Sequence, residues 1–82
     1  MYLQIGTEKF IKAEDIIGIF DLDNTTVNKA TREYLNSAQK EDIVTTVSFD
    51  LPKSFIVTEE KGERKVYISA LNTATIYKRL EE

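Results

Sequence analysis

IIGIFDLDNTTV, residues 16–27, decides how this chain is read. An apolar run, Ile16, Ile17, Ile19 and Phe20, ends at Asp21 and passes directly into a cluster of short polar residues. A structural reading makes Ile16–Asp21 a buried strand, with Asn24 or Thr25 capping the helix that follows through a side-chain oxygen. Four apolar residues in five, bounded by polar ones, predict a strand near the centre of a sheet. A catalytic reading instead takes Asp21 and Asp23 as a working pair of carboxylates at the strand's end.

The catalytic reading has a specific template. Asp21-Leu22-Asp23-Asn24-Thr25 resembles the D-x-D-x-T motif of haloacid dehalogenase-like phosphatases, in which the first Asp attacks phosphorus and the second moves the proton. That chemistry also needs a helix-covered parallel sheet, a downstream Lys and a later acidic pair for Mg²⁺. Only 57 residues follow Thr25, and they lack the strand–helix–strand alternation of a parallel sheet. Glu59-Glu60 falls in a turn-like segment. The strand-end and helix-cap reading is preferred, and no catalytic residue is assigned.

The helix after this strand is the clearest element. Val27, Ala30, Tyr34, Leu35 and Ala38 share one helical face, and Asn28, Lys29, Arg32, Glu33 and Asn36 lie outside it, predicting a helix from about Thr25 to Lys40. Upstream, Tyr2–Ile5 and Phe10-Ile11 read as short strands around a Gly6-Thr7 turn. Downstream, Ile43–Phe49 is β-branched and alternating, hence a strand, and Leu51-Pro52 interrupts it because Pro52 cannot donate to a ladder. Ser54–Thr58 and Lys65–Ser69 form a hairpin around Gly62. Asn72 or Thr73 caps a last helix with Ile76, Tyr77 and Leu80 inward and Lys78 and Arg79 near its C-terminal dipole. The expected fold is α+β: a small mixed or antiparallel sheet of about five strands with two helices, in one domain over residues 1–82.

Composition narrows function. A chain of 82 residues makes one small domain with a modest core. It has no Cys and no His, which removes disulfides, thiolate chemistry, the commonest metal ligand and the commonest general base. No cofactor or metal is expected. No apolar run approaches membrane-spanning length and the N-terminus lacks a signal-peptide pattern, so the expected compartment is the cytoplasm, with no membrane partner. A net charge of −3 argues against broad attraction to nucleic acid, although a local patch matters more than the total. Most basic residues interleave with acids, as Lys29, Arg32 and Lys40 do with Glu33, Glu41 and Asp42. Lys53, beside Pro52 in a loop, is the exception. Tyr34, Tyr67 and Tyr77 read as packing residues.

MYLQIG at the start, DIIGIFDLDNTT, a helix containing EYL, LPKSFIVT, and KVYISALNTATIYKRL at the end together resemble the extracellular matrix regulatory protein B (RemB-like) family, a sister of the biofilm regulator RemA. The resemblance covers nearly the full length. It implies a non-enzymatic cytoplasmic protein with a fold related to LytTR-type DNA-binding domains, forming rings and regulating transcription of matrix genes through repetitive DNA. In the RemA relatives the DNA-contacting arginines lie at the start of the third strand and in the loop before the fifth. The matching positions here are near Asp15, Asp50, Leu51 and Lys53, of which only Lys53 is basic. Loss of arginines to carboxylates at a phosphate-facing surface weakens binding.

The reading is therefore a self-assembling regulator of matrix or biofilm genes. Its DNA-binding candidates are Lys53, Lys9, Lys12, Arg64 and Lys65. Its oligomer-interface candidates are Tyr2, Leu3, Phe49, Leu51 and Phe55. The expected partners are other copies of itself in a ring, DNA held weakly, or a regulatory protein. The alternatives are a protein-interaction module that binds no DNA and, least favoured, a small phosphatase using Asp21 and Asp23.

Overall fold

The computed structural model describes residues 1–22, 28–48 and 50–81. Element order follows the sequence reading: β1 (Tyr2–Gln4), β2 (Phe10–Lys12), a 3-10 turn (Ala13–Asp15), β3 (Ile16–Asp21), α1 (Lys29–Lys40), β4 (Val44–Thr46), β5 (Ser54–Glu60), β6 (Glu63–Ser69) and α2 (Thr73–Leu80). The strands form a two-stranded antiparallel ribbon, β1-β2, and a separate four-stranded mixed sheet in the order β3-β5-β6-β4. A single sheet of about five strands was expected, so the partition differs while the α+β class stands.

The long hairpin β5-β6 is the axis of the fold. Its turn carries Lys61 at φ 53° and Gly62 at φ 83°, the pair of left-handed residues that a two-residue hairpin loop of type I′ requires. Register runs from Ser54 opposite Ser69 to Glu60 opposite Glu63. Period-two alternation then sends side chains to opposite faces. Phe55, Val57 and Val66 pack with Ala38, and Tyr34 and Leu35 of α1 lie against them. Ile56 and Tyr67 pack with Leu3, Ile5 and Ile11 of the ribbon and Ile76 of α2. The molecule thus has three layers: α1, the sheet, and the ribbon with α2. Both faces of the central strands are covered, and Ser54 through Thr58 are all buried.

This layering corrects the placement of β3. Among the described residues the strand is at the edge of the sheet and pairs only with β5. Its apolar run reflects contact with core clusters on both faces rather than a central position, and none of its residues is fully buried. Ile16 and Ile19 pack toward the ribbon core, and Phe20 stacks on Phe55 at 4.8 Å on the opposite face. A register shift between Ile16 and Gly18 bulges the strand, and Ile17 is 53% exposed.

Helix α1 starts later than the sequence suggests. Asn28 is its cap, accepting from the Thr31 backbone N–H at 2.8 Å. Asn24 and Thr25, the expected caps, and Val27 lie outside the described residues. The C-terminus closes with Asp42 at φ 60°: its N–H donates to the Gln39 carbonyl and the Ile43 N–H to that of Ala38. These are the paired bonds of a Schellman ending, built on Asp rather than the usual Gly. Strand β4 is shorter than the expected 43–49 and pairs in parallel with β6. The cap of α2 is Asn72, donated to by the Thr75 N–H at 2.8 Å. Ile76 is fully buried, but Tyr77 is 52% exposed and leaves the inner face expected of it.

Candidate functional site

The candidate residues lie on open surfaces and clefts of the subunit. The acidic pair comes first. Asp21 is an exposed residue at the end of an edge strand, and Asp23 lies outside the described residues. Among the described residues the only parallel pairing is β4 with β6. Asp21 therefore lacks the setting that phosphoryl-transfer chemistry at a strand end needs, a central strand among parallel neighbours.

The basic candidates fall into separate groups. Lys53 precedes β5, and its backbone prolongs the sheet: its N–H donates to the Ser69 carbonyl at 2.9 Å and its carbonyl accepts from the Leu22 N–H at 2.8 Å. Arg64 and Lys65 lie at the far end of the same hairpin, opposite Glu59 and Thr58. Five or six strand residues at about 3.3 Å each separate the two ends by on the order of 17–20 Å. Lys9, Arg64 and Lys65 line a cleft of about 900 Å³ together with the carboxylates Glu41, Asp42, Glu59 and Glu63. Acids outnumber bases there, so the cleft is not a phosphate-attracting surface.

Two of these lysines also have structural partners. The Glu60 carboxylate accepts from the Thr58 hydroxyl and from the Tyr67 hydroxyl, both at 2.7 Å. Lys65 faces it at 3.8 Å, and the Lys9 ammonium sits 4.9 Å from the centre of the Tyr67 ring. Burial opposes the Glu60 charge, but the two hydrogen bonds and then Lys65 and Lys9 overcome it and hold its pKa below the usual value. Burial first, and then the hydrogen bond to Glu60, push the Tyr67 hydroxyl well above its ordinary pKa. The cluster ties the ribbon turn to the hairpin end.

The positions matched to the relatives' arginines are likewise divided. Asp15 is half-buried just before β3, beside the Thr58 end of β5. Asp50 and Leu51 are exposed in the loop before Lys53, at the other end. Within one subunit they form no single patch.

The interface candidates divide by burial. Tyr2 is 65% and Leu51 74% exposed. Leu3 and Phe55 are each 2% exposed, so their side chains are held in the subunit's own core and not at a surface. The alternation of short β-strands explains the error: Leu3 is the inward residue of an exposed-buried-exposed strand, and Phe55 faces α1. Phe49 lies outside the described residues.

Sequence reasoning missed the exposed apolar side chains at Ile17 and Phe20. With Gly18, Ala30, Thr31 and Tyr34, and Phe55 and Val57 beneath, they line a groove of about 360 Å³ between β3 and α1. Gly18 permits it, since a Cβ there would meet the Phe20 ring at 2.6 Å. Among the described residues nothing pairs with the outer side of β3 or of β4, so the sheet has two unlike open edges.

Comparison with known proteins gives the chain a family. A family model described as RemA-like, extracellular matrix regulatory protein A-like, matches residues 2–80. Extracellular matrix regulatory protein B of Bacillus subtilis (strain 168) is 32% identical over 81 residues, spanning 99% of this chain and 91% of that protein. With a match over almost its whole length, the chain belongs to the RemA-like family.

Proposed function

We propose that this protein is a non-enzymatic regulator of extracellular-matrix genes that works in the cytoplasm as a ring of identical subunits. The observation that carries the reading is the near-complete match to a family whose named relative is a matrix regulator. Physical features support the assembled form. The open edges, β3 and β4, lie on opposite sides of one sheet. Joining β3 of one copy to β4 of the next is a heterologous contact, and such contacts close into rings when the rotation permits. Ile17 and Phe20 would be covered at that junction. Leu51, at the end of the sheet, is the most exposed large apolar residue in the described chain.

DNA contact, where it occurs, is weak and comes from Lys53 repeated once per subunit, so that avidity offsets a poor single contact. The mixed charge of the Lys9, Arg64 and Lys65 cleft leaves these three a minor share. The test is a matrix-gene transcriptional reporter in cells lacking this protein. Complementation with wild type should restore regulated expression, and Ile17→Lys, which places a charge on the β3 edge, should not. Full activity from a variant shown to be monomeric would refute the assembled form.

A further inference from the structure

The outer face of the β1-β2 ribbon is unaccounted for by sheet-edge assembly. Register places Tyr2 opposite Lys12 and Gln4 opposite Phe10, all four on the outward side. Leu3 and Ile11 take the inward side. Tyr2 is 65% and Phe10 54% exposed. They are diagonal cross-strand neighbours, about 7–8 Å apart by sheet geometry. That is roughly twice an aromatic stacking distance, room for one flat ring between them or one on each.

Cations flank this pair on both sides. The Arg79 guanidinium is fixed by donating to the Gln4 carbonyl at 2.8 Å. It shares a cavity of about 390 Å³ with Met1, Tyr2, Leu3, Gln4 and Phe10, a lining that contains no carboxylate. On the other side Lys12, Lys61 and Lys65 line a cavity of about 460 Å³ with Tyr2 and Phe10, balanced there by Asp15, Glu60 and Glu63. Aromatic rings standing clear of a ribbon between cations are the elements of a base-stacking platform.

We infer that the ribbon face, with Tyr2 and Phe10 as stacking rings and Lys12 and Arg79 as phosphate contacts, binds single-stranded nucleic acid. Duplex DNA hides its base faces within the stack, whereas an unpaired strand offers them to the rings. The ribbon is three residues long, about 10 Å, which limits the contact to about two bases per subunit. The carboxylate-free side at Arg79 sets the path of the strand. A chain of net charge −3 binds weakly, and affinity falls with salt. The site needs neither open sheet edge, so it does not rest on ring formation.

The experiment is fluorescence anisotropy of a labelled twelve-nucleotide thymidine strand with the full-length protein, at about 50 and 200 mM salt. Wild type should bind at low salt, and a duplex of the same length should bind at least several-fold more weakly. Tyr2→Leu with Phe10→Leu keeps an apolar surface but removes the rings, and should lower affinity by about tenfold or more. Tyr2→Phe should be tolerated, and Lys12→Gln should weaken binding and flatten its salt dependence. Absence of single-strand binding at low salt overturns the proposal, as does equal affinity of the double leucine variant. A lower solution mass for Tyr2→Ala with Phe10→Ala, without single-strand binding by wild type, would instead make this face a contact between copies.

Discussion

Replacing Ser69 by Ala should cost far more than removal of one hydroxyl from a small domain suggests. Ser69 is fully buried at the end of β6. Its hydroxyl donates to the Ile5 carbonyl at 2.6 Å, spanning 64 residues of sequence, and accepts from the Leu71 N–H at 3.1 Å. It therefore fastens the ribbon, the sheet and the approach to α2 together. Alanine leaves the carbonyl of Ile5, a residue of zero exposure, without this donor. A buried group so orphaned costs about 1–3 kcal/mol. The half-buried Leu71 N–H can turn to water and adds about 0.5–1 kcal/mol. The sum is about 1.5–4 kcal/mol, a large part of the stability of a domain this size. Urea unfolding at fixed protein concentration reads it: with a slope of about 1 kcal/mol/M, the midpoint should fall by about 1.5 M or more. Hydrogen exchange should report faster exchange at Leu3 and Ile11 than on β5. A midpoint shift below about 0.5 M with an unchanged slope would refute the claim that this hydroxyl couples the layers.

Gly6→Ala should destabilise by about 1–3 kcal/mol, because a Cβ there would press on the Val47 carbonyl oxygen and sit 2.9 Å from its Cβ; the same urea titration checks it. Glu60 has a folded pKa below its usual value, so its contribution is present above about pH 4.5 and is lost as pH falls through the folded pKa. Tyr67 has a raised folded pKa, so its contribution is complete below about pH 10 and is lost as pH rises beyond that. Glu60→Gln should flatten the acid limb of a stability–pH profile, and Tyr67→Phe the alkaline limb. Lys53→Ala should weaken low-salt duplex binding more than Lys29→Ala, whose lysine faces Glu33 at 3.8 Å on an exposed helix turn; equal effects in a duplex titration would move the contact elsewhere.

Much of the fold was legible because local signals agreed. The order of strands and helices followed from the strand-like runs at Ser54–Thr58 and Lys65–Ser69, from Gly62 at the turn, and from the apolar face of α1. What escaped were properties of the assembled layers. An apolar run such as Ile16–Phe20 reports contact with apolar layers but not position in the sheet, and here it belongs to an edge strand whose Ile17 and Phe20 stay exposed. The end of α1 relies on Asp42 in a left-handed conformation, where no glycine announced it. Lys9 and Lys65 read from sequence as candidate DNA contacts, yet tertiary contact with Tyr67 and Glu60 engages both. Leu3 and Phe55 read from sequence as interface residues because sequence gives the period of a strand but not which face meets the core. The ribbon's outward residues, Tyr2 and Phe10, became a paired feature only once the register placed them diagonally.

The solution mass of the full-length protein tests the central claim most directly. Light scattering at tens of micromolar should give a closed multiple of the 9.4 kDa subunit. Ile17→Lys, which charges the open edge of β3 at a residue already 53% exposed, should collapse that mass toward a folded monomer. A wild-type particle of about one subunit mass at this concentration would contradict the account. So would a multimer whose mass Ile17→Lys leaves untouched, because the sheet edges would then play no part in assembly.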